Sequence, residues 1–321
     1  MNNPWVKITP PSKDLSARRV DHEHPLNLFW ARDHMGKYLF IYEFSERGRS
    51  ESGKLPDLIG ISSDIVQPRD TSGMSKLILV LNEQSNWELF YALCSDLVQA
   101  TREIESDSLA VHTIIRRLVR WQNFLKKNRN PYLTEEEIKG LIGELLLITE
   151  YLIPAFGEAD AINFWQGPEG LPQDFNVINS AIEVKSQSGT TTPKVKISSL
   201  DQLCTQLGTM YLFVVTLGKA IADVRNVINL PSLVTNLRNR LITHAPDQLD
   251  KFEDLLFLAG YVNSDYYNDF NYVLANNTFY EVSGDFPRIC PDEVRDGIDN
   301  VSYKINLDDC KPFTKAPEWV R

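Results

Sequence analysis

The sequence predicts a mixed α/β fold, and three observations support this prediction. First, residues 1 to about 85 alternate short apolar runs with Gly, Ser, Pro and Asp, a pattern typical of strands and turns. Second, apolar residues recur at helical spacing over residues 87–103 and 109–125. Third, strand-like runs return after Pro154 and alternate with helical patterns between residues 230 and 258. The segments therefore follow the order β, then α/β, then α and β again.

The composition is that of a globular chain. Of the 321 residues, 43% are hydrophobic and 24% are charged, which excludes a disordered or fibrous protein. A chain of this length contains about two domains on average. The 33 Lys and Arg residues and 43 Asp and Glu residues give a formal net charge of -10. This charge excludes a protein whose whole surface attracts phosphate, but it is compatible with a local basic groove.

The cysteines and the N-terminus indicate where the chain works. The 4 cysteines form no C-x-x-C pair, so their spacing supports neither a zinc site nor a disulfide framework. We therefore expect a reducing compartment. No stretch approaches the roughly 18 to 20 apolar residues of a membrane span, and the N-terminus lacks a signal-peptide pattern. The sequence predicts a cytoplasmic protein without membrane contact.

The elements of the first half are predicted from their apolar spacing. Three apolar runs predict strands, at residues 38–42, 57–61 and 76–81. The two helical patterns named above come next. A third helix has a clear start signal, because Thr134 followed by Glu137 matches a capping box ahead of an apolar helical face.

The elements of the second half are predicted in the same way. Short apolar or alternating runs predict strands at residues 174–177, 181–186, 194–197, 210–217, 279–282 and 302–305. The link 178–180 is short enough for a hairpin between the first two. A helix is expected over residues 199–206, and the continuous apolar run 210–217 predicts a strand buried on both faces.

The predicted hairpin that begins at Asp174 carries the most chemical information. Successive side chains of a strand point to opposite faces, so Glu183 and Lys185 share one face while Ile182 and Val184 share the other. The hairpin partner brings Asp174 beside Glu183. Two converging carboxylates repel each other, and a divalent cation relieves this repulsion. Oxygen ligands favour Mg²⁺, with Mn²⁺ as a substitute. Lys185 could then orient an attacking water or offset charge in a phosphorane-like transition state.

This arrangement resembles the PD-(D/E)XK nuclease superfamily, whose signature is an Asp at one strand start and Glu-x-Lys on the next strand. Asp174 corresponds to the motif aspartate, Glu183 to the second acid and Lys185 to the lysine. The sequence has Gln173 between the proline and the aspartate, which departs by one residue from the adjacent Pro-Asp of the motif. The superfamily also places an acidic residue on the preceding helix, and Glu144 lies there at the edge of an apolar stripe.

The resemblance implies a role for each of these side chains. Asp174 and Glu183 would bind Mg²⁺, and Glu144 would assist at the metal through a water or a neighbouring site. Lys185 would orient the nucleophile, so all four residues would be catalytic. Gln187, close behind the motif, would touch the scissile DNA backbone.

The similarity extends along most of the chain. The sequence is similar to a bacterial family of PD-(D/E)XK proteins often encoded beside restriction-modification genes. The family's recurrent segments appear in order at residues 89–97, 140–145, 174–185, 198–203, 285–289 and 301–305. The resemblance implies a Mg²⁺-dependent endonuclease that cuts double-stranded DNA in a defence system. Because cutting both strands usually needs two active sites, a homodimer is expected, with ATPase or methyltransferase subunits as further partners.

A basic segment is a candidate for DNA binding. Residues 108–130 contain six basic residues and no acid, and Trp121 and Phe124 lie among them. Three of the basic residues are expected on one helical stripe that faces phosphates: Arg116, Arg120 and Lys127. The alternative interpretation is an amphipathic helix with a basic solvent face.

The sequence predicts three parts: a β-rich N-terminal domain at residues 1–85, a restriction-endonuclease-like core at 86–220 and a mixed α and β region at 221–321. Two alternatives to an endonuclease stay open. The chain could be a non-cleaving DNA-binding or assembly subunit that keeps the nuclease fold, since its acidic field repels DNA outside the basic segment. It could also have an unrelated function, with the hairpin as an ordinary sheet edge.

Overall fold

The structure is a computed structural model, and it describes residues 3–45, 55–68, 74–127, 132–189, 193–206, 208–221 and 226–320. Over these ranges the fold is mixed α/β, as the sequence predicted. The chain forms two compact units, one of Met1–Pro131 with Val262–Ser264 and one of Tyr132–Tyr261 with Asp265–Arg321. This division differs from the predicted boundaries after residues 85 and 220. The two helices that follow residue 85 group with the N-terminal sheet, and most of the chain after residue 220 groups with the strands before it.

The first unit contains an antiparallel sheet in the order β1-β2-β3-β5-β4. Its strands are β1 (Leu15–Arg19), β2 (Asn27–Asp33), β3 (Tyr38–Phe44), β4 (Ile61–Val66) and β5 (Ser75–Leu81). Strands β3 and β5 confirm two of the predicted strands. The predicted strand at 57–61 is wrong, because Leu58 and Ile61 close a tight turn whose Gly60 has a φ of +78°. Glycine adopts this left-handed conformation without a steric penalty.

The two predicted helices of this unit are confirmed as α1 (Trp87–Ala100) and α2 (Asp107–Lys127). The Trp5 ring stacks on Phe90 of α1 with 5.2 Å between ring centroids. The Trp121 indole N–H donates a 2.9 Å hydrogen bond to Asp96, which ties α2 to α1. No helix among the described residues has both the length and the apolar character that crossing a bilayer requires.

The second unit carries the remaining elements. Its helices are α3 (Glu135–Leu147), α4 (Ile153–Phe156), α5 (Glu158–Phe164), α6 (Leu230–His244), α7 (Leu249–Leu258) and α8 (Leu307–Cys310). Its strands are β6 (Phe175–Val177), β7 (Ser180–Ser188), β8 (Lys194–Ile197), β9 (Thr209–Lys219), β10 (Tyr272–Glu281) and β11 (Tyr303–Asn306). The predicted capping box is confirmed, since Thr134 and Glu137 exchange hydrogen bonds at the start of α3.

The central sheet of the second unit has the order β10-β9-β7-β6 within the described part of the chain. Strands β7 and β9 are parallel, while the outer pairs are antiparallel. Strand β9 is almost wholly buried, as its apolar run predicted. Helices α3, α5, α6 and α7 pack on one face of the sheet. The other face packs against a two-stranded sheet of β8 and β11 and a short 3-10 turn, Leu200–Leu203.

That turn differs from the helix predicted over residues 199–206. The helix ends early because Cys204 adopts an extended conformation, with a φ of -126°. Cys204 also forms a disulfide with Cys290, with the two Cα atoms 5.8 Å apart. The spacing of the cysteines gave no support for a disulfide, yet the structure contains this one. Spacing could not reveal this pair, because its members are 86 residues apart in sequence.

Candidate active site

Asp174 lies immediately before β6, at the open end of the β6–β7 hairpin. The hairpin forms as predicted, with Phe175 opposite Ile182 and a turn in which Ile178 has a φ of 55°. The Asp174 carboxylate reaches across to β7, where its Oδ2 accepts a 2.7 Å hydrogen bond from the Val184 N–H. Its Oδ1 lies so close to Gly167 that a Cβ there would approach it to 2.7 Å. Gly167 therefore leaves the space that the carboxylate occupies.

Glu183 and Lys185 share one face of β7, as strand alternation predicted. The Lys185 Nζ lies 2.6 Å from Glu183 Oε1. The Glu183 side chain is only 1% exposed, and its Oε2 is buried without a hydrogen-bond partner. A buried carboxylate oxygen without a partner is energetically costly. Lys185 offsets the charge of Glu183 but leaves one of its oxygens available to a ligand.

Glu144 reaches the same site from α3, and Gly143 determines how closely the helix approaches. A Cβ at Gly143 would lie 2.5 Å from Ser186 Oγ and 3.1 Å from a methyl carbon of Val184. Only glycine lets α3 lie this close to β7. The neighbouring Glu144 is partly buried, and its Oε2 accepts a 2.6 Å hydrogen bond from the Trp165 indole N–H.

The three carboxyl groups are close enough to shift one another's pKa. Burial, followed by the charge of Asp174, raises the pKa of Glu144 to about 8, while the Trp165 N–H and Lys185 oppose this shift. Burial also raises the pKa of Asp174, against the Val184 N–H and Lys185. The pKa of Glu183 is raised well above its usual range by burial, then by Asp174, with Lys185 opposing. The structure thus brings the four predicted residues together.

The chemistry of these oxygen atoms fits a divalent cation. Mg²⁺ is usually bound by one or two carboxylates together with waters. Asp174 and Glu183 supply two neighbouring carboxylates, and the unpartnered Glu183 Oε2 is a candidate ligand atom. Among the described residues, no group of three or more His, Cys, Asp or Glu side chains is arranged as a metal-ligand set. The fit therefore depends on Asp174 and Glu183, and the direct participation of Glu144 stays a prediction.

Two glutamines that were not predicted from the sequence support this site. Gln202 Oε1 accepts hydrogen bonds from Lys185 Nζ at 3.3 Å and from the Ser198 N–H at 2.7 Å. Gln173 Nε2 donates to the backbone oxygens of Asp201 and Cys204, at 2.5 Å and 3.2 Å. The turn that precedes the disulfide thus holds both Lys185 and the residue before Asp174. Gln202 lies in residues 198–203, one of the segments shared with the similar family. That similarity is the sequence signal that could have identified it.

The residues predicted to contact DNA differ in their exposure, in their hydrogen bonds and in the unit to which they belong. Gln187 Nε2 donates a 3.1 Å hydrogen bond to Thr216 on the neighbouring strand. Arg116 is exposed on α2 and Arg120 is half-buried, while the Lys127 side chain lies outside the described part of the structure. Helix α2 belongs to the first unit and the carboxylates to the second.

The aromatic residues of α2 do not join a nucleic-acid surface. Trp121 is 2% exposed and Phe124 is 6% exposed, so both belong to the core of the first unit. Their position among the basic residues in the sequence therefore does not place them on the same surface as those residues. The reason is that they lie on the apolar side of an amphipathic helix.

The sheet, the flanking helices and the Asp and Glu-x-Lys positions agree with a restriction-endonuclease-like PD-(D/E)XK fold. The chain belongs to the family described as "Putative PD-(D/E)XK family member, (DUF4420)", whose family model matches residues 1–308. No curated protein and no solved structure matches the chain. Family membership indicates a nuclease-like protein.

Proposed function

We propose that this protein is a Mg²⁺-dependent DNA endonuclease that hydrolyses phosphodiester bonds. One observation carries the proposal: the buried Glu183 carboxylate has one oxygen on Lys185 and one without a partner, next to a second carboxylate on Asp174. A buried carboxylate oxygen without a partner calls for an explanation, and a bound cation would supply one. The family match supports the nuclease class.

Each side chain of the site would have its own role in the reaction. Asp174 and Glu183 would hold the cation, with Mn²⁺ as a substitute. When bound, the cation would neutralise negative charge at the phosphate and lower the pKa of a water. Lys185, held by Glu183 and Gln202, would turn its ammonium to the phosphate oxygens and stabilise the charge that develops there.

Glu144 would act as a proton holder beside this pair. With a pKa of about 8, its carboxyl group is mostly protonated at neutral pH. Trp165 donates to Oε2, so the proton would lie on Oε1 and could be donated to a water or a leaving oxygen.

The substrate and partners form the finer part of the proposal. We propose double-stranded DNA as the substrate, contacted by Arg116, Arg120 and Lys127 on α2 and by Gln187. A homodimer would supply the two sites that cutting both strands requires. The segments shared with restriction-modification-linked proteins support a defence role with ATPase or methyltransferase subunits.

A plasmid nicking assay tests the proposal. The wild-type chain should nick supercoiled DNA with Mg²⁺ or Mn²⁺, and not with EDTA. Glu183→Gln keeps the size of the side chain and should reduce the rate by at least about 10²-fold, the scale expected when a charge-stabilising group is lost. A Glu183→Gln variant that cuts at the wild-type rate would overturn the assignment. A wild-type chain that binds DNA and Mg²⁺ but never nicks would instead favour the non-cleaving subunit.

A further inference from the structure

The two-stranded sheet of β8 and β11 has an apolar face and a lysine face. Val195, Ile197 and Ile305 are buried against the central sheet. The opposite face carries three exposed lysines, which we call the lysine face: Lys194, Lys196 and Lys304. The alternation of both strands places all three side chains on the same outer side.

The lysine face carries an electrostatic cost in the isolated chain. Lys196 and Lys304 are direct cross-strand partners. Like charges directly opposite each other destabilise a sheet. Over the described residues, none of the three lysines takes part in the ion pairs that the structure shows. An anion on this face would relieve the repulsion, even though the chain has a net charge of -10.

Strand β8, which carries Lys194 and Lys196, leads along the chain to the residues that hold Lys185. Strand β8 ends at Ile197, and the next residue, Ser198, donates its N–H to Gln202 Oε1 at 2.7 Å. The same oxygen accepts from the Lys185 ammonium at 3.3 Å. Lys196 lies two residues before Ser198, which is about 7 Å along a strand. The end of β8 is therefore close to Lys185, on the same side of the central sheet, while the lysine side chains point outward from that layer.

The spacing of the lysines favours a polyanion over a small anion. Cross-strand partners have Cβ atoms about 5 Å apart, and residues two apart on a strand are about 7 Å apart. The side chains leave the sheet side by side, so they do not converge on one point as ligands of a single phosphate do. Such a row fits the regularly spaced phosphates of a nucleic acid backbone.

We infer that the phosphate backbone of duplex DNA lies on Lys194, Lys196 and Lys304 as it enters the active site. The choice of DNA rests on the proposed nuclease function. The lysine face belongs to the same unit as the carboxylates, which α2 does not. It contributes affinity without reading base sequence, because ammonium groups on phosphates carry no sequence information.

The test is the salt dependence of binding, measured with EDTA present so that cleavage plays no part. A fluorescent duplex of about 30 base pairs is titrated with the full chain at several salt concentrations. The triple variant Lys194→Gln, Lys196→Gln, Lys304→Gln should lower the slope of log affinity against log salt by about 0.9 for each phosphate that is no longer neutralised. The loss should be equal for unrelated duplex sequences.

A matched control removes three other lysines of the same unit. Lys219 and Lys315 pair with Glu135 at 3.0 Å and Glu281 at 2.5 Å, and Lys251 donates to Asn163 at 2.9 Å. The triple Gln variant of these residues changes the net charge by the same amount and should leave the slope unchanged. An equal fall in both variants, or no fall in the first, would overturn the inference.

Two further measurements separate this inference from its rivals. If vesicles rich in anionic lipid bind the wild type but not the first triple variant, while DNA binding is unchanged, the face serves a membrane and the inference is wrong. Lys304→Gln alone should keep or raise the melting temperature of DNA-free protein, and a fall would contradict the unrelieved repulsion.

If wild-type protein nicks plasmid but the triple variant leaves the slope unchanged, the inferred role of the lysine face is wrong and the nuclease function stands. A fall in slope without nicking would support the lysine face and contradict the nuclease function.

Discussion

Asp174 Oδ2 accepts a 2.7 Å hydrogen bond from the backbone N–H of Val184, so a carboxylate of the candidate site also ties two strands together. The bond uses one carboxylate oxygen and leaves the other for chemistry. Asp174 therefore has a structural role in the hairpin besides its proposed role at the cation, and substitutions must be chosen to separate these two roles.

Asp174→Asn and Asp174→Ala should separate these two roles. Asparagine keeps an acceptor for the Val184 N–H, while alanine leaves that buried donor unpaired at a cost of about 1–3 kcal/mol. Both variants should lose Mg²⁺-dependent nicking, but only the alanine variant should melt at a lower temperature. Nicking by Asp174→Asn at the wild-type rate would argue against a chemical role.

Lys185→Met should move the pH dependence of cleavage. The Lys185 ammonium holds down the pKa of all three neighbouring carboxyl groups, so its loss should raise them and shift the acidic limb of the rate profile to higher pH. The rate at the optimum should fall by about 10²- to 10³-fold. Mg²⁺ affinity, measured by calorimetry at a pH above the new limb, should survive. Loss of affinity there would make Lys185 structural.

Gly143→Ala should damage the site through the packing of α3. The added Cβ would lie 2.5 Å from Ser186 Oγ, and overpacking of this kind costs about 1–3 kcal/mol. Gly140→Ala is the matched control in the same helix, because a Cβ there meets nothing within 4 Å. The control should be neutral or stabilising by up to about 1 kcal/mol. Equal denaturant midpoints for the two variants would show that the close approach is unimportant.

Ser186→Ala should partly rescue Gly143→Ala. The Ser186 hydroxyl is buried without a hydrogen-bond partner, so its removal alone should cost little. In the double variant, the nearest clash disappears and the Val184 methyl carbon at 3.1 Å becomes the closest neighbour. A double-mutant cycle of unfolding free energies measures this coupling. Additive effects would contradict the predicted coupling.

Reduction of the Cys204–Cys290 disulfide should destabilise the protein and loosen the turn that holds Gln202 and Gln173. A disulfide typically contributes about 2–4 kcal/mol. Mass spectrometry under non-reducing conditions first establishes the bond, and melting with and without a phosphine reductant then measures its effect. Cys310→Ala, at a buried free cysteine, is the control and should keep the response to reductant.

Glu144→Gln should flatten the pH dependence of stability in the metal-free protein. The folded state raises the pKa of Glu144 from 4.5 to about 8, so it binds this proton more tightly than the unfolded chain does. The resulting stabilisation is complete below about pH 4.5 and is lost as the pH rises through 8. Wild-type melting temperatures should fall over this window more steeply than those of the variant. Parallel curves would mean that Glu144 does not titrate there.

The sequence predicted the parts of the site that depend on local periodicity. A strand repeats every two residues, so Glu183 and Lys185 could be placed on one face from the sequence alone. Trp165 and Gln202 could not be found in this way, because they reach the carboxylates and Lys185 through tertiary packing. The sequence also could not show whether Trp121 is buried or exposed, since its helix has basic residues on several sides.

The parallel pairing of β7 with β9 affects when the residues of the candidate site come together during folding. A hairpin such as β6 and β7 closes locally, whereas parallel strands need a crossover and pair more slowly. Until β9 lies beside β7 and α3 docks on it, Glu144 stays apart from Asp174 and Glu183. With the nuclease function proposed above, a nascent or partly unfolded chain would therefore be unable to cut DNA, and this ability would appear only in fully folded molecules.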